Sequence, residues 1–503
     1  MKILWIDDEI DLLKPFIYLL NQEGYEVKTA TSGEDGIRIV QQEVFDLVFL
    51  DEIMPGVDGL EVLKRIKLDS PQQVVVMVTK SEEETLMKQA YSGWVDDYIT
   101  KPFSFNQILS VLNRILKRRQ LIEEKMAEEY AGQFRSTSSL PNNYNEWVEY
   151  YRNLVAWDIR FLEYGGKELK EIHDERKFSA NAGFAKYISY EYKNFIKNKG
   201  PILSHNLCNL VLFPALKNGP TSFVIFDSMR LDQYLKLQPY LRDLFEITTQ
   251  YYYSILPSAT PYSRNSIFSG LLPLEILQKY PQYWLFEEKG QNRFERELFT
   301  ELLKRNGLKI NFNFHKLSTI DEIEKNIPKI ANDHSDITVV IVNFFDLLLH
   351  SIPGRGDMKG LLDDERVLLN LLSYWFPVSP IFELFKAIAG RKRQIILTTD
   401  HGFIHVRRPT IVYGGREISP NLRYKYGPAL RADEKTALIL NNPGELYLPA
   451  EDQSVRFIIA REDYYFIYPT KPTEYEKEFK YTFQHGGISM EEMILPVASL
   501  RPR

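Results

Sequence analysis

The sequence predicts an α/β protein in three parts: an N-terminal doubly wound domain, a central α-helical bundle and a C-terminal α/β domain. Three observations predict it. Residues 1–118 alternate short apolar strands with helical patterns, the signature of a parallel sheet covered by helices. Residues 142–198 carry helical spacing, rich in aromatics. From about residue 220, apolar runs again lead into acidic residues: Phe223–Phe226 before Asp227, Thr338–Val342 shortly before Asp346, and Ile395–Thr399 before Asp400. In open parallel sheets, sites are built at the carboxyl ends of strands. The boundaries read from these changes are 1–120, 121–205 and 206–503.

A chain of 503 residues suits about three domains. Apolar residues make up 44% and aromatics 13%, enough for large cores. A net charge of -6 excludes a broadly basic surface, so any nucleic-acid contact must come from a local patch. A single cysteine, Cys208, excludes an internal disulfide framework and a cysteine-based zinc site. The sequence holds no apolar run of membrane-spanning length, and Met1–Asp7 lacks a signal-peptide layout, so a cytoplasmic location is expected.

In the first domain, Ile3–Ile6 ends in Asp7 and Asp8, Leu47–Leu50 in Asp51, Val74–Val78 in Thr79, and Asp97–Thr100 in Lys101-Pro102. These ends converge on one sheet edge. Asp7, Asp8 and Asp51 repel one another and need a divalent cation; with oxygen ligands alone, magnesium is expected. Asp51 is then the phosphoryl acceptor, and Thr79 and Lys101 bind the phosphoryl oxygens. The Pro after Lys101 suits a cis bond that turns the lysine inward. These positions closely resemble a response-regulator receiver domain. The resemblance implies a sensor histidine kinase as partner and a switch role for Tyr98, which is otherwise a core residue.

Helical spacing continues from Phe105 to about Gly132, with Ile108, Leu112 and Ile115 on one face; it reads as a rigid lever out of the receiver. Phosphorylation is expected to act on the face formed by 83–103 and this helix, with Ile108, Leu112 and Ile115 near it, and to drive dimerisation. Lys117-Arg118-Arg119 reads as a solvated face. Phe134–Pro141 is a polar loop. In the bundle beyond it, Trp147, Tyr150, Tyr151, Trp157 and Phe161 read as core, and His173 as a surface histidine.

In the C-terminal part, the candidate ligands are Asp227, Asp346, His350, Asp400, His401 and His485. Asp400 and His401 can hold one cation where the chain leaves its strand. Asp346 and His350 share a face if that segment is helical. Carboxylate with imidazole suits zinc, with manganese second. The hydroxyl-rich stretch Pro257–Ser266 supplies a nucleophile, inert at its own pKa without activation. A helix after Pro261 would aim its N–H groups at an anion, and Arg264 adds a fork suited to phosphate.

From about residue 220 to the end, these residues resemble the alkaline phosphatase superfamily, specifically its PglZ-like branch. The resemblance implies two metals, one held by Asp227, Thr260, Asp400 and His401, the other by Asp346, His350 and His485, with Thr260 as the attacking residue. Pro257, Thr260, Gly270 and Pro273 match the frame around the nucleophile in nucleotide-pyrophosphatase relatives. Tyr262-Ser263-Arg264 stands where those relatives have Pro-Asn-His, so the phosphate contacts differ. Sulfatases use Cys or Ser as nucleophile, which sets that class aside.

Elsewhere, Arg391-Lys392-Arg393 and Arg407-Arg408 read equally as solvated turns or as a positive rim that attracts an anion. Residues 413–445 read as an insertion over the active edge, a lid or substrate-selecting loop. His205, His315, His334 and His405 carry no motif.

The combination of receiver, helical linker and PglZ-like domain resembles PorX-type response regulators. That resemblance implies a phosphorylation-controlled, zinc-dependent phosphodiesterase acting on cyclic and linear oligonucleotides and linked to type IX secretion. Its implied partners are the kinase, a second copy of the chain, and a sigma factor or secretion-system component. The competing expectation is a signalling adaptor whose metal-binding domain is a nucleotide sensor or scaffold without turnover. Retention of Thr260 and the ligand set argues for turnover.

Overall fold

The computed structural model describes residues 1–70, 73–80, 94–135, 139–197, 199–286, 290–344, 365–414 and 419–503. Two compact units emerge. One comprises Met1–Ser138 with Ile159–Glu171, the other Ser139–Asp158 with Ile172–Arg503.

The first unit contains five parallel strands, β1 (Lys2–Ile6), β2 (Glu26–Ala30), β3 (Leu47–Asp51), β4 (Val75–Thr79) and β5 (Asp97–Thr100), in the order β2-β1-β3-β4-β5. Side chains alternate across the pleat. Leu4, Ile6, Val48, Leu50, Val75 and Met77 therefore fill the core on one face. Ile3, Trp5, Leu47, Phe49, Val76 and Val78 fill it on the other.

The helix Phe105–Arg135 closes the second face and then runs on without a break. Ile108 and Leu112 are fully buried in that core and Ile115 packs against it, which corrects their expected place at a dimerisation face. Their helical spacing is the stripe that meets the sheet. The large apolar residues that this helix exposes, among those described, are Leu116 and Leu121. Residues 81–93 of the expected switch face lie outside the described residues.

In the second unit the main sheet has six strands. Beside β6 (Thr221–Phe226), β7 (Phe245–Tyr253), β8 (Phe312–Leu317), β9 (Ile337–Val342) and β10 (Gln394–Thr399) stands the C-terminal strand Ile494–Pro502. The order is β7, the C-terminal strand, β10, β6, β9, β8. The central β6, β9 and β10 are buried throughout, as parallel strands covered on both faces must be. The C-terminal strand is antiparallel to both neighbours, with Ile494 opposite Tyr253. It therefore starts at the edge where β6, β7, β9 and β10 end, and the residues just before it are delivered to that edge.

Helical residues of the linker belong to this second core. Trp147 packs edge-on against Phe184, with ring centroids 5.3 Å apart. The Tyr192 hydroxyl accepts from Leu256 N–H at 2.7 Å, and the Tyr253 hydroxyl donates to the Tyr144 carbonyl at 2.9 Å. His173, expected at the surface, is fully buried, and its Nε2 lies 3.1 Å from Asp158 Oδ1 on the preceding helix.

Residues 413–445 belong to a folded element rather than to a loose lid. Tyr424–Pro428, Ala437–Leu440 and Val455–Ala460 form an antiparallel sheet over its own core of Val412, Leu430, Ile458 and Phe466. Residues 415–418 lie outside the described set. The positive rim is also corrected at two of its members. Arg393 is buried and donates to Ser222 Oγ and to the Thr221 and Asp333 carbonyls. Arg408 is paired with Glu462 and Asp463.

Candidate active site

In the receiver unit, Asp7 and Asp8 follow β1, Asp51 ends β3, Thr79 ends β4 and Lys101 follows β5. Asp7, Asp51 and Thr79 are buried. Lys101 Nζ donates to Asp7 Oδ2 at 2.9 Å and to Asp51 Oδ2 at 3.0 Å, and the Lys101–Pro102 bond is cis. Burial pushes the Asp51 carboxyl above its ordinary range; the Lys101 hydrogen bond opposes that shift and the Asp7 charge adds to it. Asp7, Asp8 and Asp51 each offer an oxygen within 4.8 Å of the others, an all-oxygen set able to hold a divalent cation. Tyr98, like Trp94 and Val95, is partly buried and packs against the core of this face.

The second site is built at the carboxyl edge of the larger sheet. β6 and β10 are in register, with Phe226 opposite Thr399, so Asp227 and Asp400 leave the sheet at the same level. Ser228 holds the turn between them. It sits at φ 60°, uncommon for a non-glycine residue. Its N–H donates to Asp400 Oδ1 at 3.2 Å and its hydroxyl to Asp227 Oδ1 at 3.1 Å. After β7 the chain passes Pro257 and enters the helix Thr260–Ser269, with Thr260 in its first turn. Gly270 ends that helix at φ 63°, where a Cβ would meet Leu302 at 2.6 Å. A side chain there would be doubly disfavoured.

These elements bring Asp227, Asp400 and His401 together, with one ligand atom of each within 4.8 Å of the others. Thr260 Oγ1 lies 2.9 Å from His401 Nε2. His401 Nδ1 is 2.9 Å from the Gly402 carbonyl, which can only accept, so Nδ1 carries the proton and Nε2 presents its lone pair. Burial lowers the His401 pKa, which favours that neutral ring. His485 stacks on His401 with ring centroids 4.3 Å apart. Burial and the neighbouring His401 push it down to about 4.

Among the buried side-chain atoms that lack a hydrogen-bond partner within the described residues are Asp400 Oδ2 and His485 Nδ1, both at this edge. Burial and the Asp227 charge push Asp400 up to about 7. A buried carboxylate oxygen and a buried imidazole nitrogen with no partner are costly unless something binds them. The donor set fits a divalent cation, and its carboxylate–imidazole mix suits zinc. Asp346 and His350, assigned to a second cation with His485, lie outside the described residues.

Arg264 is placed differently from a free phosphate fork. It is buried; Nε donates to Glu295 Oε1 at 2.5 Å and Nη1 to Asp227 Oδ2 at 2.6 Å. Glu295 is fully buried and also pairs with Lys316. Burial raises the Asp227 carboxyl, but the Arg264 and His401 charges outweigh it and leave the group below its usual range. Sequence reasoning missed Glu295 and Ser228. Glu295 opens a separate helix after a polar stretch and carries no motif. Ser228 follows the strand-end Asp227, and that position was the available signal.

A strand-order 2-1-3-4-5 receiver and a carboxylate–imidazole edge on a second α/β sheet define a response regulator with a phosphoesterase-like output domain. Sequence comparison agrees and narrows it. Residues 3–113 match the response regulator receiver domain, 120–196 the PorX response regulator linker domain, and 207–500 the BREX system PglZ alkaline phosphatase-like domain. The chain belongs to the PglZ alkaline phosphatase-like family and has the domain order of a PorX-type fusion.

Curated relatives match over a third of this chain or less. The alkaline phosphatase synthesis transcriptional regulatory protein PhoP of Bacillus subtilis is 31% identical over 172 residues, 33% of this chain and 72% of PhoP. The alginate biosynthesis regulator AlgB of Pseudomonas aeruginosa is 32% identical over 166 residues, so this chain spans only 37% of AlgB. Among solved structures, a receiver domain from Clostridium thermocellum is 31% identical, covering 24% of this chain and 98% of its own, with a TM-score of 0.23. The receiver domain of NtrX from Brucella abortus is 32% identical over 23% of this chain and 98% of its own, with a TM-score of 0.22. A receiver domain implies a cognate sensor kinase. No single helix among the described residues is long and apolar enough to cross a membrane.

Proposed function

We propose that this chain is a cytoplasmic two-component response regulator whose output domain is a zinc-dependent phosphodiesterase acting on cyclic and linear oligonucleotides. Phosphorylation of Asp51 controls it, with magnesium held by Asp7, Asp8 and Asp51. The observation that carries the enzymatic reading is the Thr260 hydroxyl 2.9 Å from His401 Nε2, beside the paired Asp227 and Asp400.

Asp227, Thr260, Asp400 and His401 would hold one zinc, and His485 with Asp346 and His350 a second. Bound zinc supplies positive charge that lowers the pKa of a hydroxyl and stabilises phosphoryl oxygens. Thr260 would attack the phosphorus, its Oγ1–phosphorus bond forming as the bond to the leaving alcohol oxygen breaks, and water would then hydrolyse the phosphothreonine to restore the hydroxyl. His401 Nε2, 2.9 Å from that hydroxyl and with its other nitrogen fixed on Gly402, offers its lone pair to the same cation. Ser228 keeps the two carboxylates at their spacing. Arg264 holds Asp227 in place through Nη1 and Glu295 through Nε and compensates their charge; its remaining N–H groups are the ones that would serve a phosphate contact. The first turn of helix Thr260–Ser269 directs backbone N–H groups toward the bound phosphate.

The match to the PorX linker domain supports a link to type IX secretion, with a sigma factor or a secretion component as downstream partner; phosphorylation would bring two copies of the chain together as a homodimer. The test is turnover by purified zinc-loaded protein on a cyclic oligonucleotide, a linear oligonucleotide, a model diester and a model monoester. Cleavage of the three diesters at rates well above the monoester is expected. A monoester preference would contradict the diesterase reading, and no cleavage of any would favour the sensor or scaffold.

A further inference from the structure

We infer that Asn181, on the linker helix Lys167–Phe195, is a positioning residue for the metal-binding turns of the output domain. The inference rests on the reading above that His401 and His485 are ligands. His173, Lys177 and Asn181 recur at four-residue intervals, so they share one helix face. The face is polar and turned inward. His173 and Lys177 both meet Asp158, at 3.1 and 3.0 Å, and Lys177 Nζ lies 3.5 Å from Glu491 Oε1. Asn181, buried, grips the same turn twice: its Nδ2 donates to Glu491 Oε2 at 2.9 Å and its Oδ1 accepts from Met490 N–H at 2.9 Å.

The turn it grips is a hub. Residues Met490–Met493 form a short helix capped by Ser489. The Glu492 carbonyl accepts from Gly402 N–H at 3.1 Å, one residue beyond His401. A Cβ at Gly402 would stand 1.9 Å from the Glu491 carbonyl oxygen, so the two segments touch through backbone. The Glu492 carboxylate accepts from Gly487 N–H at 2.8 Å, two residues beyond His485, and pairs with Arg423 at 2.6 Å, both side chains fully buried. The Gly487 carbonyl in turn accepts from Ser258 Oγ at 2.7 Å, two residues before Thr260. One rigid turn thus ties together the segments carrying His401, His485 and Thr260, and Asn181 ties that turn to the linker. Groups that hold ligand-bearing segments tune metal affinity without touching the metal.

Hydrogen exchange on metal-free full-length protein, with zinc affinity measured by chelator competition, tests this in Asn181→Ala against Phe184→Leu. The second variant loosens the same helix through its Trp147 and Tyr253 ring contacts and removes no hydrogen bond to the hub. Asn181→Ala should speed exchange at Gly402 and Gly487 and weaken zinc binding about tenfold to a hundredfold. Phe184→Leu should do neither. Unchanged exchange in Asn181→Ala overturns the inference whatever the metal result. An equal response from Phe184→Leu also overturns it, as does faster exchange with undiminished zinc affinity. If exchange quickens at both turns but the wild-type chain binds no zinc, Asn181 does position the turns and the metal reading is what fails.

Discussion

Thr260 Oγ1 lies 2.9 Å from His401 Nε2, and the opposite ring nitrogen of His401 is fixed on the Gly402 carbonyl. The pair joins a helix start to a strand end from 141 residues further along the chain. Thr260→Val keeps the shape and removes the hydroxyl. Diester cleavage should fall on the order of a thousandfold or more, with the fold retained. Steady-state turnover beside circular dichroism checks this; near-normal turnover would remove Thr260 from the role of nucleophile.

Arg264 gives a prediction about stability. Its guanidinium stands between Asp227 and the fully buried Glu295. Arg264→Met should leave those carboxylates undercompensated and cost roughly 3 kcal/mol or more. Arg264→Met combined with Glu295→Met should recover part of that loss. Denaturant unfolding of the metal-free protein measures both. Equal stability of the single variant and the wild type would show a guanidinium free of these carboxylates.

Asp400 sets a pH dependence. Burial and the Asp227 charge raise it to about 7 in the folded chain, above about 3.9 for an unfolded Asp. Through Asp400 the metal-free folded state holds an extra proton between those values, a contribution to stability that is lost as pH rises through that window, while His485 and His401, lowered by burial, contribute in the opposite sense. A cation needs the ionised form, so it must displace this proton below about pH 7. His485, held down near 4, adds little to that displacement. Zinc affinity should rise by more than tenfold from about pH 5 to pH 8, with proton release detected by titration calorimetry in two buffers. A flat affinity across that range would contradict this assignment.

The receiver site predicts an oligomeric switch. Lys101 already spans Asp7 and Asp51, so a phosphoryl group on Asp51 enters a site that Lys101 can hold. Beryllofluoride with magnesium should shift the chain from monomer toward dimer, and Asp51→Ala should block the shift. Light scattering at micromolar protein reads the mass; an unchanged mass would rule the switch out.

Much of this was legible because both sheets advertise their edges. An apolar run that stops at Asp51, Asp227 or Asp400 marks where a strand leaves the sheet, and β-strand register then brings those ends together. What the sequence hid was partnership across distance. Arg264 looked like a free fork because Glu295 lies 31 residues away on another helix. His173 looked exposed because its partner, Asp158, sits on the preceding helix. Ile108 and Leu112 were visible as an apolar stripe, but periodicity does not say whether such a stripe meets its own sheet or a second copy; here it meets the sheet. Arg393 sat in a basic run and proved to be a buried clamp on the Thr221 and Asp333 carbonyls.

The central claim is that Asp227, Thr260, Asp400, His401 and His485 form a metal-dependent phosphodiester-cleaving site. Its most direct test is stepwise zinc addition to metal-stripped protein, following bound zinc by elemental analysis and cleavage of a model diester in the same samples. Cleavage should be absent without metal, rise in proportion to bound zinc, and stay absent in Asp400→Asn. Full cleavage by protein with no bound metal would contradict the account.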